Sequence, residues 1–209
     1  MQLNLSGRKP VGMGVEKRVF FHPTQPGSLI KIINPDYIRE MYRLWPWSMR
    51  FRRVAHYWIF LDEIVEHLAI RAQSPDQVQY LQRITGLVDT DQGVGIVVDA
   101  VLRKDGRLAE SLHDVIQRAA FGATEKAALE RFCEWLGRSG IVVRDLSARN
   151  VVWDEVNGHF VLIDGFREKP YGSMRSFWGW YNRRHNRRKA AKLLQRTLHT
   201  AIQHSPAHG

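Results

Sequence analysis

A single cysteine in 209 residues excludes an internal disulfide, and it leaves any zinc site to be assembled mainly from histidine. The nine histidines show no metal-ligand spacing of the H-E-x-x-H kind, so no zinc is assigned. No stretch approaches the roughly 18 apolar residues of a membrane span. The opening MQLNLSGRKP lacks the apolar core of a signal peptide. Internal repeats and low-complexity tracts are missing as well. Acidic residues are scarce beside basic ones, 21 against 31, for a formal net charge of +10. Together these absences fit a reducing cytoplasm and a protein that is soluble or peripheral to a membrane.

What is present suits a folded protein. A hydrophobic fraction of 44% with 25% charged residues argues against disorder of the whole chain. The length suffices for one large domain or two small lobes. The excess positive charge is concentrated. One cluster is Arg50, Arg52 and Arg53; the denser one is Arg183, Arg184, Arg187, Arg188, Lys189, Lys192 and Arg196. Such clusters attract phosphates of nucleic acid, anionic lipid or a phosphorylated substrate, or they form a solvated helix face. Nucleic acid is disfavoured because no recognition module accompanies the charge.

Short β-prone runs at Val19–Phe21 and Ser28–Ile33 flank a turn-rich His22–Gly27. Asn34 reads as a helix cap, with Pro35 in the first helical position. Trp45-Pro46-Trp47 interrupts that helix, and a longer one follows over about Val54–Ala72. A hairpin comes next, Leu81–Thr90 with Gly95–Leu102. Helices are predicted over about 108–121, 125–139 (cap Thr124, stop Gly140) and 184–202, with a small second hairpin before the last of them. Strands thus precede helices, the order of an α+β fold. The lobe boundary is placed at the Lys104-Asp105-Gly106 turn, giving lobes 1–103 and 104–209.

The sharpest chemical signal is R-D-L-S-A-R-N, Arg144 to Asn150, with Asp164-Gly165-Phe166 ending a strand fourteen residues later. Phosphoryl transfer needs a carboxylate near the attacking hydroxyl and oxygen ligands for magnesium. An Asp and an Asn five apart on one tight loop can face the same cleft, and a second Asp at the end of a short hairpin can point back at it. The segment resembles the protein-kinase catalytic and magnesium loops. The resemblance implies Asp145 as catalytic base, Asn150 and Asp164 as magnesium ligands, and Arg149 in the place of the tyrosine-kinase arginine. Gly12-Met13-Gly14-Val15-Glu16-Lys17 resembles the glycine-rich loop over ATP phosphates, with Lys17 standing for the third glycine. Lys31 in Leu29-Ile30-Lys31 takes the place of the phosphate-contacting lysine. Its acidic partner on the long helix is Glu63 or Glu66, one turn apart. Three departures stand beside these matches: Val143 replaces the usual His, D-F-G has become D-G-F, and no A-P-E segment follows.

The stretches G-M-G-V-E-K-R-V-F-F-H-P, S-L-I-K-I, L-V-D-T-D-Q-G-V-G-I-V-V-D-A-V, R-D-L-S-A-R-N-V-V and V-L-I-D-G-F, from Gly12 to Phe166, resemble the PhoP regulatory network YrbL-like family. More distantly they are similar to the small lipopolysaccharide sugar kinases. The resemblance implies a protein-kinase-like bilobal fold with a reduced C-terminal lobe. It also implies ATP and magnesium as cofactors, and a hydroxyl acceptor such as an envelope sugar or lipid. A catalytically inactive pseudokinase-like regulatory or binding module is the alternative. The basic, Trp-rich C-terminal segment around Phe177–Arg184 would then face an anionic membrane or a phosphorylated envelope substrate.

Overall fold

The computed structural model describes residues 2–44, 55–73, 75–166 and 179–204. The expected break at Trp45-Pro46-Trp47, the cluster Arg50, Arg52 and Arg53, and the aromatics Phe177 and Trp178 lie outside the described residues. The architecture is mixed α+β: an antiparallel five-stranded sheet, then helices and a two-stranded hairpin. Two compact units divide it. One comprises 1–64 and 83–100, the other 65–82 and 101–209. The division thus falls three residues before the expected boundary, and the stretch Val65–Gln82 joins the second unit.

In the first unit the sheet runs β1 (Gly12–Met13), β2 (Lys17–Phe21), β3 (Ser28–Ile33), β5 (Gly93–Asp99), β4 (Ile84–Thr90) in spatial order. The β2–β3 turn is closed by His22, whose Nδ1 accepts from the backbone N–H of Thr24 (3.3 Å) and Gln25 (3.0 Å). Burial holds that imidazole's pKa below the ordinary value, which suits an acceptor nitrogen. One sheet face carries Phe20, Ile30 and Ile32, covered by Leu3 and Leu5 from the N-terminal segment. That segment is pinned by Asp91, whose carboxylate accepts from the backbone N–H of Leu5 (2.7 Å) and Ser6 (2.9 Å). β4 begins at Ile84, three residues later than expected, and its register shifts between Ile84 and Gly86.

Helix α1 (Pro35–Leu44) begins as the sequence predicts, with the side-chain oxygen of Asn34 accepting from Asp36 N–H at 3.2 Å. The long helix α2 is Trp58–Gln73, preceded by a 3-10 turn at Ala55–Tyr57. The line between the units crosses α2 after Ile64.

The second unit holds α3 (Leu112–Gln117), α4 (Ala123–Arg138), the hairpin β6 (Val151–Asp154) and β7 (His159–Leu162), and α5 (Gly179–His204). α3 is half its expected length. Its start is fixed by a reciprocal cap in which Asp114 N–H donates to Ser111 Oγ at 3.2 Å and Ser111 N–H to Asp114 Oδ2 at 3.3 Å. α4 is capped at Gly122 rather than at Thr124, because the Glu125 carboxylate reaches back to Gly122 N–H at 2.9 Å. It ends at Ser139 rather than at Gly140. Leu129, Phe132, Cys133 and Leu136 recur at helical spacing on its inner face and pack with Leu112, Ile141, Phe160, Leu193 and Phe166. Among the described residues no helix is long and apolar enough to cross a membrane.

Candidate functional site

The second unit builds its loop from the backbone outward. Ile141, Val142 and Val143 are buried, so the chain reaches the R-D pair from a fixed base, and Arg144 and Asp145 emerge into solvent. The Gly165 carbonyl accepts from both of their amides, at 2.7 and 3.1 Å, and Ile163 N–H donates to the Asn150 carbonyl at 2.9 Å. These bonds lay the end of the hairpin directly on the R-D…N loop. Within the loop Asn150 Nδ2 donates to Asp145 Oδ2 at 3.0 Å and to its carbonyl at 3.3 Å. Asp164 Oδ1 accepts from Gly165 N–H at 2.6 Å. Asp145 and Asn150 are therefore in contact, with the residue after Asp164 against both.

The D-G-F order has a steric reason. Gly165 has φ +83°, and a Cβ there would lie 2.1 Å from the Asp145 carbonyl oxygen and 3.1 Å from Asn150 Nδ2. Only glycine fits a left-handed backbone at that approach. The displaced Phe166 goes into the core at 1% exposure, and its backbone bridges Val143, the residue that replaces the usual His.

Three side chains of α5 brace the same loop from behind. Asn182 Nδ2 donates to the Gly140 carbonyl (3.3 Å), and Asn186 Nδ2 to those of Ile141 (2.8 Å) and Ser139 (3.4 Å). Lys189 Nζ donates to the carbonyls of Val143 (2.8 Å) and Arg144 (2.6 Å). The sequence places Asn186 and Lys189 only on a basic helix and Asn182 in the basic, Trp-rich stretch before it. Their signal was the four-residue step from Asn182 to Asn186 to the buried Ala190, polar residues on an apolar face. Glu66, expected beside Glu63 as the alternative partner for Lys31, accepts from Val142 N–H at 2.8 Å, so it supports the loop.

In the first unit Gly14 N–H donates to the Lys17 carbonyl at 2.8 Å, making a tight turn between β1 and β2, with Gly12 on β1. Lys17, read as the replacement of the third glycine, is only 4% exposed and forms an ion pair with Glu63, itself 1% exposed. Lys31 is buried at the centre of the sheet. The register explains why both lysines matter: Lys17 lies opposite Ile33, and Val19 opposite Lys31. Directly opposed residues share a face, so Lys17 and Lys31 point to one side of the sheet, away from the Phe20, Ile30 and Ile32 core. Arg149 is exposed on its loop. Cys133 is no nucleophile candidate, because burial, with a smaller push from Glu130, raises its thiol to about 12.

A family model for PhoP regulatory network protein YrbL matches residues 3–198, across both units and through Lys189. The chain belongs to the YrbL family. A comparison with curated proteins finds no match. Whether this YrbL-family chain can carry magnesium turns on donor chemistry. Asp145, Asn150 and Asp164 offer only hard oxygens once the Asn150 amide nitrogen is spent on Asp145, and no trio of His, Cys, Asp or Glu forms a cage among the described residues. That set fits magnesium, which keeps several waters and takes further oxygens from phosphates.

Proposed function

We propose that this YrbL-family protein is an ATP- and magnesium-dependent phosphotransferase of protein-kinase-like, bilobal design that acts on a hydroxyl. The observation that carries the reading is the contact of Asn150 with Asp145 under Gly165, which sets a carboxylate and a carboxamide side by side on an exposed loop. Magnesium and ATP, when bound, supply charge neutralisation and the transferable phosphoryl group. Asn150 and Asp164 hold the metal. Asp145 orients the acceptor hydroxyl and takes its proton as the oxygen bonds to the γ-phosphorus and ADP leaves. Gly12 and Gly14, lacking side chains, let the β1–β2 turn come close to phosphates, and Lys31 or Lys17 lends an ammonium ordered by Glu63.

A second reading has its own observation. Lys17 fills the third glycine position and turns inward to Glu63, which removes one backbone approach to phosphate and suits a noncatalytic ligand-sensing module. Thermal denaturation with ATP, with and without magnesium, separates the two when run on the wild type and on Asp164→Ala. At a ligand concentration about 100 times Kd, binding stabilises by about 2.7 kcal/mol, a shift of about 5–10 °C at this size. The phosphotransferase reading expects a magnesium-dependent shift that Asp164→Ala loses. No shift in any condition removes it.

A further inference from the structure

Beside the catalytic loop of the second unit lies an open cavity of about 450 Å³, bounded by α3, the R-D-L-S-A loop and α5. Asp145 lines it, and so do four cations: Arg144, Lys189, Lys192 and Arg196. A volume of this order is that of a small-molecule site. Lys189, Lys192 and Arg196 stand at i, i+3 and i+7 of α5, one stripe of the helix, with Thr197 and Thr200 continuing it along the cavity wall. Lys189 is committed to the carbonyls of Val143 and Arg144. Among the described residues none of Arg144, Lys192 and Arg196 forms an ion pair with a carboxylate, although Arg18, Arg103, Arg107, Arg118 and Arg138 do. Like charges at helical spacing repel each other. A solvated surface would disperse them, whereas here they converge on one concavity opposite a single acid.

We infer that this cavity is the acceptor subsite and that the acceptor is a small hydroxyl-bearing phosphomonoester, such as a sugar phosphate. The inference rests on the phosphotransferase reading and names its substrate class. Lys192 and Arg196 hold the phosphate that the acceptor already carries. Arginine's planar fork suits two phosphate oxygens at once, and the Lys192 ammonium can serve the remaining acceptor. With its phosphate on α5, such a molecule presents a hydroxyl to Asp145 on the opposite wall. Its oxygen gains the phosphoryl group, its proton passes to Asp145, and ADP departs.

The test is calorimetric titration of the full chain with glucose 6-phosphate, inorganic phosphate and glucose. Two double variants of equal charge change are compared: Lys192→Gln with Arg196→Gln in the cavity, and Arg183→Gln with Arg184→Gln on exposed α5 residues outside it. Hydrogen bonds to charged groups predict that the cavity pair weakens both phosphate probes by about tenfold or more, while the control pair leaves them unchanged and glucose binds neither. Equal weakening in the two pairs reports diffuse surface charge and overturns the inference. Vesicles carrying phosphatidic acid test a lipid-borne source of the same group, and retention that only the cavity pair loses supports the subsite. If ATP with magnesium still stabilises every form but no phosphate probe binds, the acceptor class falls and the nucleotide reading stands. If the probes bind through the cavity pair but ATP gives no shift, the acceptor role falls together with the phosphotransferase reading.

Discussion

The two units handle charge in opposite ways. In the first, Lys17, Lys31 and Glu63 lie at 5% exposure or less, and Lys17 and Glu63 are set by each other. In the second, Arg144 and Asp145 are exposed, and they are held through their backbone, by the Gly165 carbonyl on their amides and by Lys189 on the Arg144 carbonyl. A buried ion has given up water and depends on its partner, while an exposed one depends on its backbone. Altering a side chain in the first unit should therefore cost stability, and altering one in the loop of the second should cost activity.

The largest expected effect strikes the buried pair. Glu63→Ala leaves Lys17 desolvated without its carboxylate and should destabilise by about 3–5 kcal/mol, read as a fall in urea midpoint. Replacing both by apolar residues of similar size, Lys17→Met with Glu63→Leu, should recover most of that loss. If the single variant is as stable as the wild type, the contrast between the units fails.

Next comes the glycine. At Gly158, with φ +67° and open space around a Cβ, alanine should cost about 1–2 kcal/mol of backbone strain alone. Gly165→Ala adds a collision with the Asp145 carbonyl and should exceed that value. It should also strip hydrogen-exchange protection from the amides of Arg144 and Asp145, which bond to the Gly165 carbonyl. Equal costs at the two glycines would deny the close approach.

The smallest stability change should come from Asp145→Asn, within about 0.5 kcal/mol because the side chain is exposed. Phosphoryl transfer should nevertheless be lost. A large unfolding penalty without loss of transfer would reverse the comparison.

Legibility followed the same line between backbone and partner. The loop could be read because its parts are neighbours in sequence: Asp145 and Asn150 share a turn, and Asp164 follows from a hairpin whose bend, Asn157-Gly158, is announced by its residue types. The order of sheet, helices and hairpin was readable from periodicity for the same reason. The pairing of Lys17 with Glu63 was not, because it depends on the β2–β3 register and on which turn of α2 meets the sheet. A one-residue change of register would send Lys17 to the other face. The tie of Glu66 to Val142 N–H was not readable either, because helical spacing leaves Glu66 equivalent to Glu63 and the bond spans 76 residues. The caps at Ser111 and Gly122 were missed because each is decided by the carboxylate three residues on.

The bracing of the loop by α5 also sets an order of events during synthesis. Residues 139–144 leave the ribosome before Asn182, Asn186 and Lys189, the side chains that take up their carbonyls. At about 5–20 residues per second, Lys189 follows Asn150 by about 2–8 s. For that interval the loop exists as chain without its clamp, and its carbonyls must be satisfied by water until α5 has docked.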